Sequence, residues 1–214
     1  MSFKIAVDGP AASGKGTLAK TLAMALSYDY LDTGTLYRAV ALGVQQAELT
    51  VNNTPEAVAE IVKIATHLAL PIMADDALRT SEIAQIASKI AAMPEVRQAL
   101  VDKQRDFANS PPSGKGAILD GRDIGSVILP DADVKLYIDA DINVRAKRRF
   151  LELFAKDDSV TQAQILADLT ERDARDKTRE TAPLKPAADA FIIDTTQLSA
   201  QEVLQAALNR VKSL

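Results

Sequence analysis

Cysteine and tryptophan are absent from the 214-residue chain, and histidine occurs once. Without thiols there is no disulfide, no thiol nucleophile and no structural zinc site of the Cys/His type. Aromatic residues make up 4% of the chain, too few for a stacking platform that binds single-stranded nucleic acid. The formal charge of −4 has the wrong sign for a broad nucleic-acid footprint. No run of about 18 apolar residues occurs, and the N-terminus lacks a signal-peptide pattern. These absences lead us to expect a cytoplasmic protein that engages neither a membrane nor a nucleic-acid polymer. The lone histidine, His67, lies in an apolar helical stretch with Ile61, Ile64 and Leu68. That setting suits a helix-surface or edge residue better than a catalytic base. Chemistry is left to Asp, Arg, Lys and a bound metal, an inventory that suits phosphoryl transfer.

What is present is most informative at the start. Phe3, Ile5, Ala6 and Val7 form a short apolar run that Gly9 breaks. The small-residue loop Gly9, Pro10, Ala11, Ala12, Ser13, Gly14 follows, and Lys15, Gly16 and Thr17 open an apolar-periodic helix through Leu18, Leu22, Ala25 and Leu26. A strand, a small-residue loop and a helix in this order make a phosphate-binding loop. Its backbone N–H groups and the helix N-terminus face phosphate oxygens, and the Lys15 ammonium reaches the outer ones. The match to G-x-x-x-x-G-K-[ST] is imperfect, because Gly16 holds the hydroxyl position and Thr17 comes one place later.

The 47% apolar fraction supports one domain, or a main domain with small insertions. Strands are expected at Tyr28–Asp32, Ala117–Asp120, Val134–Asp139 and Ala190–Asp194. Helices are expected after Asp32-Thr33-Gly34, from Pro55, and over Ser81–Ala92, Pro94–Asn109, Asp141–Phe154 and Thr161–Lys177, with a last one capped by Ser199. Leu70–Thr80 is a poorly patterned break. The alternation predicts an α/β fold with a mostly parallel sheet flanked by helices. Ligands bind beyond the carboxyl ends of such strands, where Asp8, Asp32, Asp120 and Asp139 fall.

Basic residues cluster despite the net acidity. Arg38 lies one turn beyond Asp32, and Arg122 sits in Asp120-Gly-Arg-Asp123. Arg145, Lys147, Arg148 and Arg149 crowd one helix; Arg172, Arg175, Lys177 and Arg179 crowd the next. Planar guanidinium forks suit bidentate phosphate contacts. For the two charged helices, a solvated face laced with salt bridges is a competing reading, since Glu171, Asp173 and Asp176 interleave there.

Taken together, these segments resemble the bacterial cytidylate kinases, a family of P-loop nucleoside monophosphate kinases, over essentially the whole chain. Asp8–Thr17 resembles the family's phosphate loop, including its Gly before the Thr. Leu31–Arg38 resembles its acceptor-nucleotide segment, Ala87–Arg97 its base-reading segment, and Asp120–Gly125 its second phosphate-binding turn. Glu171–Arg179 and the Ala182-Pro-Leu run resemble its lid and hinge. The resemblance implies one kinase domain over residues 1–214, with an acceptor-binding region at 33–110 and a lid at 141–179. It implies ATP as donor, Mg²⁺ as cofactor, CMP or dCMP as acceptor, and a monomer.

By position, Lys15, Arg38 and Arg122 would be catalytic, the two arginines holding the acceptor phosphate. Thr33 would belong to the acceptor-nucleotide site, Ser88, Arg97, Asp123 and Arg179 would surround the cytosine, Arg172 and Asp176 would meet the pentose, and Arg145, Arg148 and Arg149 would serve the lid. Thr17 would meet Mg²⁺ directly or through water. Two departures stand out: Pro71–Thr80 is shorter than the strand-rich insertion frequent in the family, and Thr33 replaces a common Ser. Competing readings are a P-loop kinase for AMP, UMP, thymidylate or a small hydroxyl-bearing metabolite, and a nucleotide-dependent switch. The switch lacks support, because no Asn-Lys-x-Asp guanine reader occurs.

Overall fold

The computed structural model describes residues 2–70, 76–155 and 159–213. Ile5, Ala6 and Val7 of β1 (Phe3–Asp8) have no exposed surface. A continuous apolar run of this kind requires cover on both faces of the strand. β1 accordingly lies in the middle of a five-stranded sheet of order β2-β3-β1-β4-β5, with β2 at Asp29–Asp32, β3 at Gly116–Gly121, β4 at Val134–Asp139 and β5 at Phe191–Asp194. β1 runs parallel to β3, with Val7 beside Asp120, and to β4, with Asp8 beside Tyr137. β4 runs parallel to β5, with Asp139 beside Asp194. The carboxylates of Asp8, Asp120 and Asp139 thus end neighbouring parallel strands, as expected.

The chain divides into two compact units, residues 1–31 with 108–214, and residues 32–107. The first holds the sheet. Leu18, Ala19, Leu22 and Ala23 of α1 (Lys15–Leu26) pack on Ile5, Val7, Ile118 and Leu136, together with Val203 and Ala207 of α8 (Ala200–Lys212). Complete burial of Leu22 contributes about 1.5–3 kcal/mol. The second unit is helical, built on α2 (Thr33–Gln46), α3 (Pro55–His67), α4 (Ser81–Ile90) and α5 (Pro94–Asn109). Its core includes Leu36, Val40, Val44, Ile61, Ile83, Ile90 and Leu100, all essentially inaccessible. His67 is exposed, with Nδ1 2.8 Å from the Lys63 carbonyl.

Most boundaries agree with the expectations, and the shifts have local causes. Thr161 and Asp141 precede rather than begin α7 (Gln162–Thr178) and α6 (Ile142–Phe154). Both have extended ψ, and their side chains accept the first helical N–H groups. Residues 71–75 of the Pro71–Thr80 break lie outside the described residues; Asp76–Arg79 is one 3₁₀ turn. Residues 156–158, within the expected lid, also lie outside them. Among the described residues, no helix is long and apolar enough to cross a membrane.

One element had no forecast. Ile124–Ile128 forms a single π-helical turn, in which Leu129 N–H donates to the Ile124 carbonyl at 2.7 Å. At its start the two carboxyl oxygens of Asp8 accept from the Ile124 and Gly125 amides at 2.8 Å each. Burial pushes the Asp8 carboxyl up to about 7, against the pull of the two amides, with Asp123 adding to the rise and Arg122 opposing it. A raised acid contributes stability that is complete below its unfolded value of 3.8 and is lost as pH rises through about 7. Urea unfolding should therefore show the chain losing about 3 kcal/mol relative to Asp8→Asn between pH 5 and pH 8, at about 1.4 kcal/mol per unit until the group is ionised. A difference that does not change with pH would refute the assignment.

Candidate phosphoryl-transfer site

The phosphate loop starts from Gly9, whose φ of +152° and close approach to β4 admit no side chain. A Cβ there would lie 2.1 Å from the Ile138 carbonyl oxygen. Ala12 and Gly14 also have positive φ, 59° and 93°. The loop delivers Gly14 to the N-cap of α1 with no side chain capping that helix. α2, α3, α4, α6, α7 and α8 each have a Ser, Thr or Asp side chain in that place. A helix start without a side-chain cap suits an anion, which the helix dipole favours. Lys15 stands half-buried, its Nζ 3.5 Å from the Pro10 carbonyl. Thr17 is exposed on the same turn. A Cβ at Gly16 would lie 3.4 Å from Asp120 Oδ2, so that buried carboxylate stands beside the loop, where Oδ1 accepts from Tyr30 Oη at 2.9 Å.

Next to the start of α1 is a pocket of about 280 Å³, lined by Ser13, Thr17, Leu18, Arg148, Thr195 and Leu198 among others. Arg145 and Arg148 turn inward from α6. The Arg145 guanidinium donates to the carbonyls of Ala140 and Ala11, at 2.9 and 3.2 Å, and to Asp173 Oδ2 at 2.6 Å. Arg148 donates to the Thr195 hydroxyl and carbonyl at 2.9 and 2.6 Å. The exposed Lys147 and Arg149, paired with Glu152 at 2.9 Å, match the solvated-face reading of this helix.

A second cluster in the same unit joins the turn after β3 to α7. Arg122 Nε donates to Asp176 Oδ2 at 2.9 Å, and Arg179 Nη2 donates to Asp123 Oδ1 at 3.3 Å. Arg172 Nε lies 4.0 Å from Asp176. Burial alone would raise the Asp176 carboxyl, but the guanidinium groups of Arg122, Arg172 and Arg179 outweigh it and hold the group below its usual range. Burial would likewise lower Arg122; Asp176 reverses this and holds it above its ordinary value. Both partners of this pair are therefore charged at neutral pH.

Thr33, Arg38, Ser88 and Arg97 belong to the helical unit. Asp32 caps α2 through Thr35 N–H at 3.3 Å and receives Arg38 Nη2 at 3.3 Å. Arg97, 4% exposed, donates to the Ala91 carbonyl at 3.2 Å and faces the Tyr37 ring at 5.9 Å. Thr33 and Ser88 are buried. The sequence drew attention to Asp8 only as a strand end and to Asp173 only as a charge among arginines. Nothing in the sequence singled out Thr195, whose partners are remote in the chain.

A sequence model of the cytidylate kinase family matches residues 5–213. The cytidylate kinase of Paramagnetospirillum magneticum is 50% identical over 213 residues, covering 100% of this chain and 99% of that protein. That of Cereibacter sphaeroides is 48% identical over 212 residues, covering 99% and 96%. An uncharacterized protein from Eubacterium ventriosum of known crystal structure shares the fold over 100% of both chains, with a TM-score of 0.56 at 15% identity. With a nucleotide-type phosphate loop, buried Arg–Asp pairs beyond the strand ends and this full-length match, the chain belongs to the cytidylate kinase family.

Proposed function

We infer that this chain transfers the γ-phosphoryl group of ATP to the phosphate of CMP or dCMP, giving ADP and CDP or dCDP. The observation that carries the reading is the pair of anion-receiving features at neighbouring strand ends. One is the uncapped loop before α1; the other is Arg122, largely buried and paired with Asp176 after β3. The acceptor oxygen of a nucleoside monophosphate is already anionic at neutral pH, so no general base is required. What the protein must overcome is the repulsion between two polyanions.

In this reading Lys15 stabilises charge on the transferred group, while Arg38 and Arg122 hold the acceptor phosphate. Arg122 exchanges part of its contact with Asp176 for the phosphate, and Asp176 with Arg172 then meets the pentose. Asp123, Arg179, Ser88 and Arg97 read the cytosine: a carboxylate favours the exocyclic amino group and repels the uracil carbonyl, and the donors take the ring nitrogen and carbonyl. The Thr17 hydroxyl and the Asp120 carboxylate suit Mg²⁺, directly or through water. Among the described residues there is no group of three or more potential ligands. That accords with a cation held largely by nucleotide oxygens and water, which when bound neutralises phosphate charge. The lid that excludes water lies within residues 141–179, and the chain works as a monomer.

Three measurements test this. ADP release should require CMP or dCMP and be much weaker with UMP, AMP or a hydroxyl acceptor; turnover without an acceptor would sink the reading. Arg122→Ala should lower kcat/KM for CMP by about 2–5 kcal/mol, the usual effect of truncating one member of a buried charge pair. Binding of an ATP analogue should stay near the parent value, and equal weakening of both nucleotides would remove Arg122 from the acceptor phosphate. Asp123→Ala should narrow the CMP/UMP ratio of kcat/KM, because strong discrimination comes from polar groups that the wrong base leaves unpaired. A parent-like ratio in the variant would dismiss the carboxylate as a base reader.

A further inference from the structure

The phosphate loop is gripped from behind at two carbonyls. Arg145 donates to the Ala11 carbonyl at 3.2 Å, and the Thr195 hydroxyl lies 2.9 Å from the Ser13 carbonyl. That hydroxyl is also 2.9 Å from Arg148 Nη1. A guanidinium only donates, so the oxygen of Thr195 accepts from Arg148 and its single hydrogen goes to Ser13. The direction of the bond is therefore set by chemistry. Thr195 has little freedom to do anything else: it is 3% exposed, its N–H donates to the Asp139 carbonyl at 2.8 Å, and its own carbonyl takes Arg148 Nη2.

In a trans peptide, the carbonyl of one residue and the N–H of the next point in opposite directions. Holding the Ser13 carbonyl outward turns the Gly14 N–H to the other side of the loop, and holding that of Ala11 does the same for Ala12. After Gly9, Ala12 and Gly14 have left-handed φ, 59° and 93°, on either side of Ser13, the alternation that makes a concave anion nest of backbone amides. For Ala12 this backbone is strained by its Cβ, so an external hold is needed to keep the nest formed before an anion arrives.

We propose that Thr195 is a positioning residue for the donor phosphates, aiming the Gly14 amide through the Ser13 carbonyl, while Arg145 aims the Ala12 amide through the Ala11 carbonyl. This rests on the ATP-site reading above. It makes Arg145 and Arg148 fixed braces of the loop and leaves the lid's mobile charge to other residues.

Thr195 also lines the pocket beside the loop, so the test uses magnesium tripolyphosphate, which has no base. In calorimetric titration of the full chain, Thr195→Val should weaken tripolyphosphate about fivefold to tenfold, near the value of one net hydrogen bond. KM for ATP should rise in step and KM for CMP should stay within about twofold. Thr195→Ser should restore the parent values. The Gly14 amide resonance should shift on tripolyphosphate addition in the parent and the Ser variant, and less in the Val variant. If Thr195→Val does not fold, Thr195→Ala carries the same expectations. Unchanged tripolyphosphate affinity overturns the proposal. So does weaker ATP with unchanged tripolyphosphate, which assigns Thr195 to the base, or an equal rise in both KM values, which makes it merely structural. A parent chain that binds tripolyphosphate but phosphorylates no cytidylate overturns the functional reading and leaves the brace standing; one that binds no tripolyphosphate overturns both.

Discussion

The phosphate loop and the turn that carries Arg122 leave the sheet from two adjacent strands, and the Asp8 carboxyl ties the two departures together. Asp8 is the last residue of the central strand and immediately precedes Gly9. Its side chain accepts the amides of Ile124 and Gly125, which follow Arg122 and Asp123 directly. A shift of the phosphate loop therefore moves the turn that carries the arginine, and the reverse. A carboxyl is well suited to this, because two oxygens accept two successive N–H groups at once.

Around that tie the charged groups are buried and paired. Arg145–Asp173, Arg122–Asp176 and Arg179–Asp123 are each largely inaccessible. Such pairs are poor sources of stability, because desolvating both ions offsets most of their attraction. Their value is geometric. α7 supplies Asp173 and Asp176 from one face and Arg179 is its C-cap, so a single helix is latched to the phosphate loop through Arg145 and to the β3 turn through Arg122. The guanidiniums are thereby oriented in advance, the condition under which an arriving anion meets little reorganisation.

The Arg-rich helix α6 shows how one sequence feature divides once folded. Arg145 and Arg148 are adjacent turns of the same face and point into the protein, where backbone carbonyls of the phosphate loop and the β5–α8 turn consume their donors. Arg149, one residue on, pairs with Glu152 at the surface. Composition and spacing treat the three alike; the 100° step per residue of a helix separates them.

How much was legible follows from the range of each interaction. The sequence by itself determined the parallel α/β architecture, the helix starts and the phosphate loop, because all three rest on local physics. Apolar runs and 3.6-residue periodicity mark strands and helices, caps act within three residues, and the nest is nine consecutive residues. It also determined the family, because five motifs stand in order along the chain. The tertiary structure alone decided that Asp8 binds a turn 116 residues away, that Arg122 is largely buried against Asp176, and that Thr195 meets Ser13 across 182 residues. A hydrogen bond between side chains or loops so far apart leaves no periodic trace in the chain. It exists only when burial removes water as the competing partner and the sheet sets the distance.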